Sequence, residues 1–286
     1  AVVVDSIQTI ASEECPGAPG SVSQVRERAG RLLAFAKTTG TPVFLIGHVT
    51  KDGTLAGPKA LEHLVDAVLS FEGERFHAHR VVRALKNRFG PVHELGVFEM
   101  TGAGLVEVAN PSSLYLGSGA GARPGSVVLA GVEGTRPLLL EVQALTVEAK
   151  YGSPRRTAIG FDATRLALLL AVLERHGGVA LSSQDVFLNV AGGAESAEPA
   201  ADLAVCSAVA GSFRGRALPP MTAVFGEVGL LGEVRAVSDA ALRLKEAVSL
   251  GFRSVLVPAD NAGEAGAFPD LSVVPLRSIE ELLEKT

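Results

Sequence analysis

The sequence predicts an α/β protein built as two domains, and three observations point that way. Hydrophobic residues make up 47% of the 286 residues, aromatics only 5%, and Trp is absent. The cores must therefore be packed from Ala, Val and Leu in layers with many small contacts. Short apolar runs alternate with helix-like segments, the grammar of a mostly parallel sheet with crossover helices. Residues 117–126, GSGAGARPGS, carry no periodic apolar signal and read as a linker between domains at 1–116 and 127–286.

In the first domain AVVVD reads as a strand, the stretch to residue 20 as a loop, VSQVRERAGRLLAFAKTTG as a helix and PVFLIGHV as a second strand. The loop TKDGTLAGPK then leads to an expected helix over ALEHLVDAVLS, a strand over RVVRALKNRFG and alternating strands over LGVFEMTGAGLVEV, taken as an antiparallel extension of the same sheet. In the second domain VVLAGVEGTRPLLLEVQALTV gives two strands. DATRLALLLAVLERHGG has a leading Asp cap, an apolar stripe and closing glycines, the start and stop signals of a helix. Further expected elements are a strand over DVFLNVAGG, a helix over PAADLAVCSAVAGSF, one strand over TAVFGEVGLLGEV, a helix over ALRLKEAVSLG, a strand over SVLVPADN and a final helix. The tetrapeptide PGSV occurs at 19 and 124 in unlike surroundings and marks no repeat.

Composition narrows the function classes. The longest apolar run, LALLLAVL at 166–173, lies between Arg165 and Glu174 and is far short of the roughly 20 residues of a bilayer span. AVVVDSIQTI has neither an initiator Met nor a basic region ahead of an apolar run, so nothing in it resembles a secretory signal, and it reads as a chain starting mid-domain. Cys15 and Cys206 stand alone without a C-x-x-C, so neither a disulfide framework nor a zinc ribbon is expected within these residues, and a reducing, cytoplasmic setting fits. A net charge of −5 leaves nucleic-acid contact to local loops or a ring interior.

Three stretches carry candidate chemistry. Asp5 closes an apolar strand, where P-loop NTPases place the carboxylate that holds Mg²⁺ directly or through water; a plain turn or cap residue looks the same. No G-x-x-x-x-G-K-[ST] phosphate loop occurs in the 286 residues. The loop bearing Lys51 and Lys59 is either an ordinary connection or a segment whose lysines meet phosphates. In RALKNRFGPVHELG, Lys86 and Arg88 are two apart on a strand-like segment and so face one way, as a solvated strand end or as a convergent cation pair. Arg155, Arg156 and Arg165 likewise read as a solvated loop or as phosphate contacts, and His176 as a residue that closes its helix near the C-terminal dipole.

VVVDSIQT, PGSVSQVRE, GHVTKDGTLAGPKALEH, KNRFG, ELGVFEM, NPSSLYL and EGTRPLLLEVQAL together resemble the RadA (Sms) family of bacterial recombination ATPases over essentially the whole chain, KNRFG being the most specific signature. The resemblance implies a partial RecA-like P-loop ATPase core followed by a Lon proteolytic-domain-like α/β domain. It implies a DNA-dependent ATPase that acts with RecA in recombination and repair. Such a protein would bind single-stranded DNA and branched intermediates, use ATP and Mg²⁺, and drive branch migration as a hexameric ring. Asp5 would be the Walker B carboxylate, Lys86 and Arg88 would act in trans, and the loops around Ser12 to Ser23 and Lys51 to Lys59 would contact DNA, with Lys51, Lys59 and Arg26 as the contact residues. The zinc ribbon and Walker A loop would lie upstream of Ala1, and these residues alone would be inactive.

FGEVGLLGEVRAV and GFRSVLVPADN resemble strands of Lon protease, which needs a serine activated by a lysine. The matching helix start, AEPAA at 197–201, sets Pro199 at the nucleophile position; the lysine position falls near Ala241 or Leu242, with Lys245 the nearest candidate. A peptidase is the competing reading, which Pro199 opposes, and a non-catalytic assembly module the third. Ser196 and Lys245 are expected on the surface.

Overall fold

The structure is a computed structural model that describes residues 1–10, 18, 20–48, 59–73, 79–90, 92, 95–108, 110–117, 119–150 and 152–286. It divides into two compact units, Ala1–Val106 and Glu107–Thr286. The division falls ahead of the Gly/Ser-rich stretch, which belongs to the second unit. There Gly121 donates its N–H to Ser126 Oγ at 2.8 Å and Ala144 donates to the Gly125 carbonyl at 2.7 Å. Among the described residues no helix is long and apolar enough to cross a membrane.

In the first unit β1 (Val2–Asp5) and β2 (Val43–Ile46) pair in parallel, Val2 opposite Val43 and Asp5 opposite Ile46. The crossover is α1 (Val22–Thr39), which stops at Gly40, whose φ of 67° is a left-handed cap that glycine adopts without a Cβ penalty. Alternate residues of the pair face the helix; Leu45 packs with Leu32 and Leu64 against the buried Ile7, Val25, Ala29 and Leu61. This is the strand, helix, strand unit expected from the alternation.

The next segment departs from expectation. The helix foreseen over 60–70 is a single turn, α2 (Lys59–Glu62), and Ala67–Glu72 is strand β3. Two causes are visible. Lys86 Nζ donates to the carbonyls of Glu62 at 2.5 Å and Val65 at 2.8 Å, satisfying the groups that a longer helix would have used. AVLSFE also pairs antiparallel with β4 (His79–Asn87), with a bulge between Val68 and Leu69. With β5 (Leu95–Thr101) and β6 (Gly104–Glu107) these strands form a four-stranded sheet in the order β3-β4-β5-β6, separate from β1-β2 among the described residues rather than its extension.

The second unit opens with the short α3 (Ser112–Tyr115), followed by the hairpin of β7 (Ser126–Glu133) and β8 (Arg136–Glu148). Then come β9 (Arg156–Ile159), α4 (Ala163–Arg175), β10 (Gln184–Val190), α5 (Asp202–Arg214), β11 (Thr222–Val224), β12 (Glu227–Val228), β13 (Val234–Arg235), α6 (Ala240–Ser249), β14 (Ser254–Pro258), β15 (Ser272–Leu276) and α7 (Ile279–Leu283). Seven strands make one sheet in the order β15-β14-β11-β7-β8-β10-β9. Only the two pairings of β8 are antiparallel. The capped helix is confirmed: Asp162 Oδ1 accepts from the Arg165 N–H at 2.6 Å. α5 is buried from Asp202 to Gly211. Its Ala, Ser, Cys and Gly residues permit close approach; a Cβ on Gly211 would lie 2.7 Å from the Arg216 carbonyl oxygen.

Two expectations fail here. TAVFGEVGLLGEV is three short strands rather than one, because Gly226 at φ 155° and Gly232 at φ 82° turn the chain, and β12 pairs with β13 as a small ribbon. LSVVPL, passed over before the last helix, is the edge strand β15, recruited by parallel pairing with β14.

Candidate active site

Asp5 lies at the C-terminal edge of the parallel β1-β2 pair with its side chain exposed, the edge at which open α/β sheets bind ligands. The donor set suits Mg²⁺ held through water, since that ion keeps several waters and takes one or two carboxylates beside substrate phosphates. Among the described residues no group of three or more His, Cys, Asp or Glu is placed to enclose a metal. Asp5 therefore offers a single-carboxylate contact, and the G-x-x-x-x-G-K-[ST] motif of a phosphate loop does not occur in these 286 residues.

The KNRFG segment differs in detail from the strand expected. β4 ends at Asn87, and Arg88 to Gly90 form a bend. The two cations nevertheless reach the same corner, residues 62–66. Lys86, half-buried, rests on the Glu62 and Val65 carbonyls. Arg88 donates its backbone N–H to the Asp66 carbonyl at 2.8 Å and its Nη1 to Asp66 Oδ1 at 3.1 Å, with 60% of its side chain exposed. No hydrogen bond or ion pair joins Asp5 to either cation among the described residues.

Of the expected DNA contacts, Arg26 is exposed on α1. Lys59 begins α2, and Lys51 lies outside the described residues, as do Ser12 and Cys15.

In the second unit Pro199 heads a 3-10 turn, Pro199–Ala201, that leads into α5. The residue before it carries the local architecture. Glu198 Oε1 accepts from the Val132 N–H at 2.8 Å and Arg243 Nη1 at 3.1 Å, and Oε2 from Arg243 Nη2 at 2.6 Å. Arg243, 2% exposed, also donates to the carbonyls of Ala130 and Ser238 and lies over the Phe225 ring. This bridge ties β7, α6 and the Pro199 turn together, and Lys245 on α6 points to solvent as expected. Ser196, expected on the surface, is instead only 6% exposed, because the hairpin and the Pro199 turn close over it. Among the described residues no hydrogen bond joins Ser196 to Lys245, the serine and lysine nearest the expected dyad positions.

Arg155, Arg156 and Arg165, read as a solvated loop or as phosphate contacts, each have partners within the unit. Arg165 pairs with the buried Asp202, which also accepts from the Val228 N–H at 3.1 Å; that hydrogen-bonded carboxylate holds Arg165 above its ordinary pKa while burial opposes the shift. Arg155 pairs with Asp185 at 2.9 Å and lies over Phe187, and Arg156 donates to the Gln184 and Leu181 carbonyls. The His176 ring, at the α4 C-terminus, lies 3.1 Å from the Leu230 carbonyl oxygen. Glu198, Asp202 and Arg243 went unread in the sequence. The one available signal was Arg243 itself, set in the apolar stripe of α6 beside Ala240, Leu244 and Ala247.

A partial RecA-like core with a carboxylate at its parallel-strand edge, followed by an α/β domain, defines the class of the protein. No family model matches the chain. It is 54% identical over 263 residues to the DNA repair protein RadA of Brucella abortus, covering 92% of this chain and 56% of that one. It is 54% identical over 283 residues to that of Pseudomonas aeruginosa, covering 99% and 62%. It is 46% identical over 284 residues to that of Streptococcus pneumoniae, covering 99% and 68%. The chain belongs to the RadA family, and it spans about three-fifths of the length of most of these relatives.

Proposed function

We propose that the protein containing this chain is a DNA-dependent ATPase of homologous recombination and repair: a cytoplasmic, hexameric ring that drives branch migration of recombination intermediates with RecA. The observation that carries the reading is the exposed Asp5 carboxylate at the C-terminal edge of β1-β2, with no ion pair among the described residues, supported by the relatives' name, DNA repair protein RadA.

In this reading Asp5 holds Mg²⁺ through water, and the bound ion neutralises charge on the phosphate oxygens. Arg88, exposed on its bend, reaches a neighbouring subunit's nucleotide, and Lys86 leaves the Glu62 and Val65 carbonyls to do the same. Lys51, Lys59 and Arg26 meet phosphates of single-stranded DNA, a contact whose strength falls with salt. The phosphate loop that cradles ATP belongs to residues outside this chain. The second unit serves assembly rather than peptide cleavage, a reading favoured by Pro199 and the buried Glu198–Arg243 bridge.

The test mixes two inactive whole proteins, Asp5→Asn and Lys86→Ala. If the cations act in trans, an interface joining the Lys86→Ala nucleotide site to the other subunit's Lys86 is complete, and DNA-stimulated ATP turnover partly returns. A mixture that forms mixed rings and stays inactive refutes the trans assignment.

A further inference from the structure

Phe89, in the KNRFG bend, is 83% exposed, the most exposed of the large apolar side chains among the described residues. The bend that carries it is braced. Phe89 donates its N–H to Asn87 Oδ1 at 3.2 Å, Arg88 donates its N–H to the Asp66 carbonyl at 2.8 Å, and a Cβ on Gly90 would lie 2.8 Å from Asn87 Nδ2. Backbone groups and the Asn87 and Arg88 side chains make these contacts and the ion pair to Asp66, and the Phe89 ring takes no part in them. The fold therefore fixes the position of an aromatic ring and leaves its faces in water, although burying a side chain of that size is favourable.

The neighbours of the ring narrow what covers it. A protein-docking patch is a contiguous apolar surface of roughly several hundred Å², and Asn87, Arg88 and Gly90, beside Phe89 in the chain, add no apolar side chain to one. They add a cation: the Arg88 guanidinium, 60% exposed and paired with an exposed carboxylate that it can exchange for another anion. An aromatic face next to such a cation matches the two halves of a nucleotide, since any base can stack on the ring and a phosphate can take the guanidinium. Phe carries no hydrogen-bonding group, so the contact would grip the π-face of a base without reading its edge. We propose that Phe89 is a stacking platform for a nucleobase whose phosphate meets Arg88, the base coming from single-stranded DNA or from the ATP of a neighbouring subunit. The proposal rests on the reading of the protein as a DNA-dependent ATPase and adds to it an uncharged residue that binds the base.

The test uses the whole protein. These 286 residues contain no tryptophan, so Phe89→Trp places an indole at the bend whose fluorescence, read as the difference from the parent, is quenched when a base stacks on it. The probes are oligo(dT), an abasic oligonucleotide with the same number of phosphates, MgATP and magnesium triphosphate. The expected result is saturable quenching by oligo(dT) or by MgATP and none by its base-free counterpart, with Phe71→Trp, exposed on β3, left unquenched. Phe89→Ala should bind the quenching ligand about tenfold more weakly, the size of one lost stacked base, while Phe89→Trp binds it as the parent does. For DNA, the slope of log affinity against log salt should stay the same in Phe89→Ala, because a stacking contact releases no counterions. Quenching by oligo(dT) assigns the base to DNA, and quenching by MgATP alone assigns it to the nucleotide. Quenching by the base-free probes, or parent-level binding of both ligands by Phe89→Ala, overturns the proposal and leaves the ATPase reading standing; a parent that binds neither ligand removes both. Loss of the oligomer in Phe89→Ala, read by sedimentation, would make the ring a subunit contact and also overturn it. The exposed ring packs against little of its own subunit, so the unfolding midpoint of Phe89→Ala should match the parent and lost binding is not lost fold.

Discussion

Arg88 in the first unit and Arg243 in the second each face a carboxylate, and the two pairs behave as opposites. Arg88 and Asp66 are 60% and 44% exposed; Arg243 and Glu198 are 3% and 20% exposed, at a shorter 2.6 Å. An exposed pair in high dielectric holds its partners weakly and can exchange them. A buried pair is different in kind: its net contribution is small against an apolar substitute, yet losing one partner strands a charge in low dielectric. The first arrangement suits a cation that must move to a substrate. The second suits one that anchors three elements in place.

The comparison is broken most severely by Arg243→Ala, which should cost about 3–5 kcal/mol by stranding Glu198, read as a fall in the chemical-denaturation midpoint of the second unit. The double variant Arg243→Met with Glu198→Gln should recover much of that loss. A single-variant cost below about 1 kcal/mol would place this pair with the exposed class.

A smaller effect is expected at Asp185, whose carboxyl is held below its usual pKa first by the Arg155 backbone N–H at 2.7 Å and then by the Arg155 guanidinium. A carboxylate whose folded-state pKa is depressed contributes stability above its unfolded value of about 4 and loses it as pH falls through the folded value. Melting temperatures of the parent and Asp185→Asn should therefore differ most near neutral pH and converge below about pH 4. A gap that persists into acid would mean that Asp185 acts by packing alone.

Least should change in the folding of Arg88→Ala, by under about 1 kcal/mol. If Arg88 is the proposed finger, ATP turnover of the whole protein should meanwhile fall on the order of 10³-fold. Stability and turnover falling together would assign Arg88 to the frame instead.

Local signals carried much of the first unit and of α4. An apolar run ending in Asp5, a helix closing on Gly40 and a cap at Asp162 are written within a few residues of where they act, since caps, turns and 3.6-residue stripes are short-range. That Pro199 can supply no nucleophile was equally plain, because a proline has no hydroxyl in any fold. Pairing and burial were decided elsewhere in the chain. Whether 67–72 is helix or strand depends on β4 lying alongside and on Lys86 taking the carbonyls of 62 and 65, and β15 exists because β14 offers it a parallel edge. Ser196 looked solvated until the Pro199 turn and the hairpin enclosed it, and Arg243 went unread because Glu198, the carboxylate that holds it, lies 45 residues away in the chain. Hydrogen-bond partners and dielectric are properties of the assembled neighbourhood, so the chain by itself marked the elements that carry their own caps and turns, and the tertiary structure alone decided the pairing of the others and which charges are held.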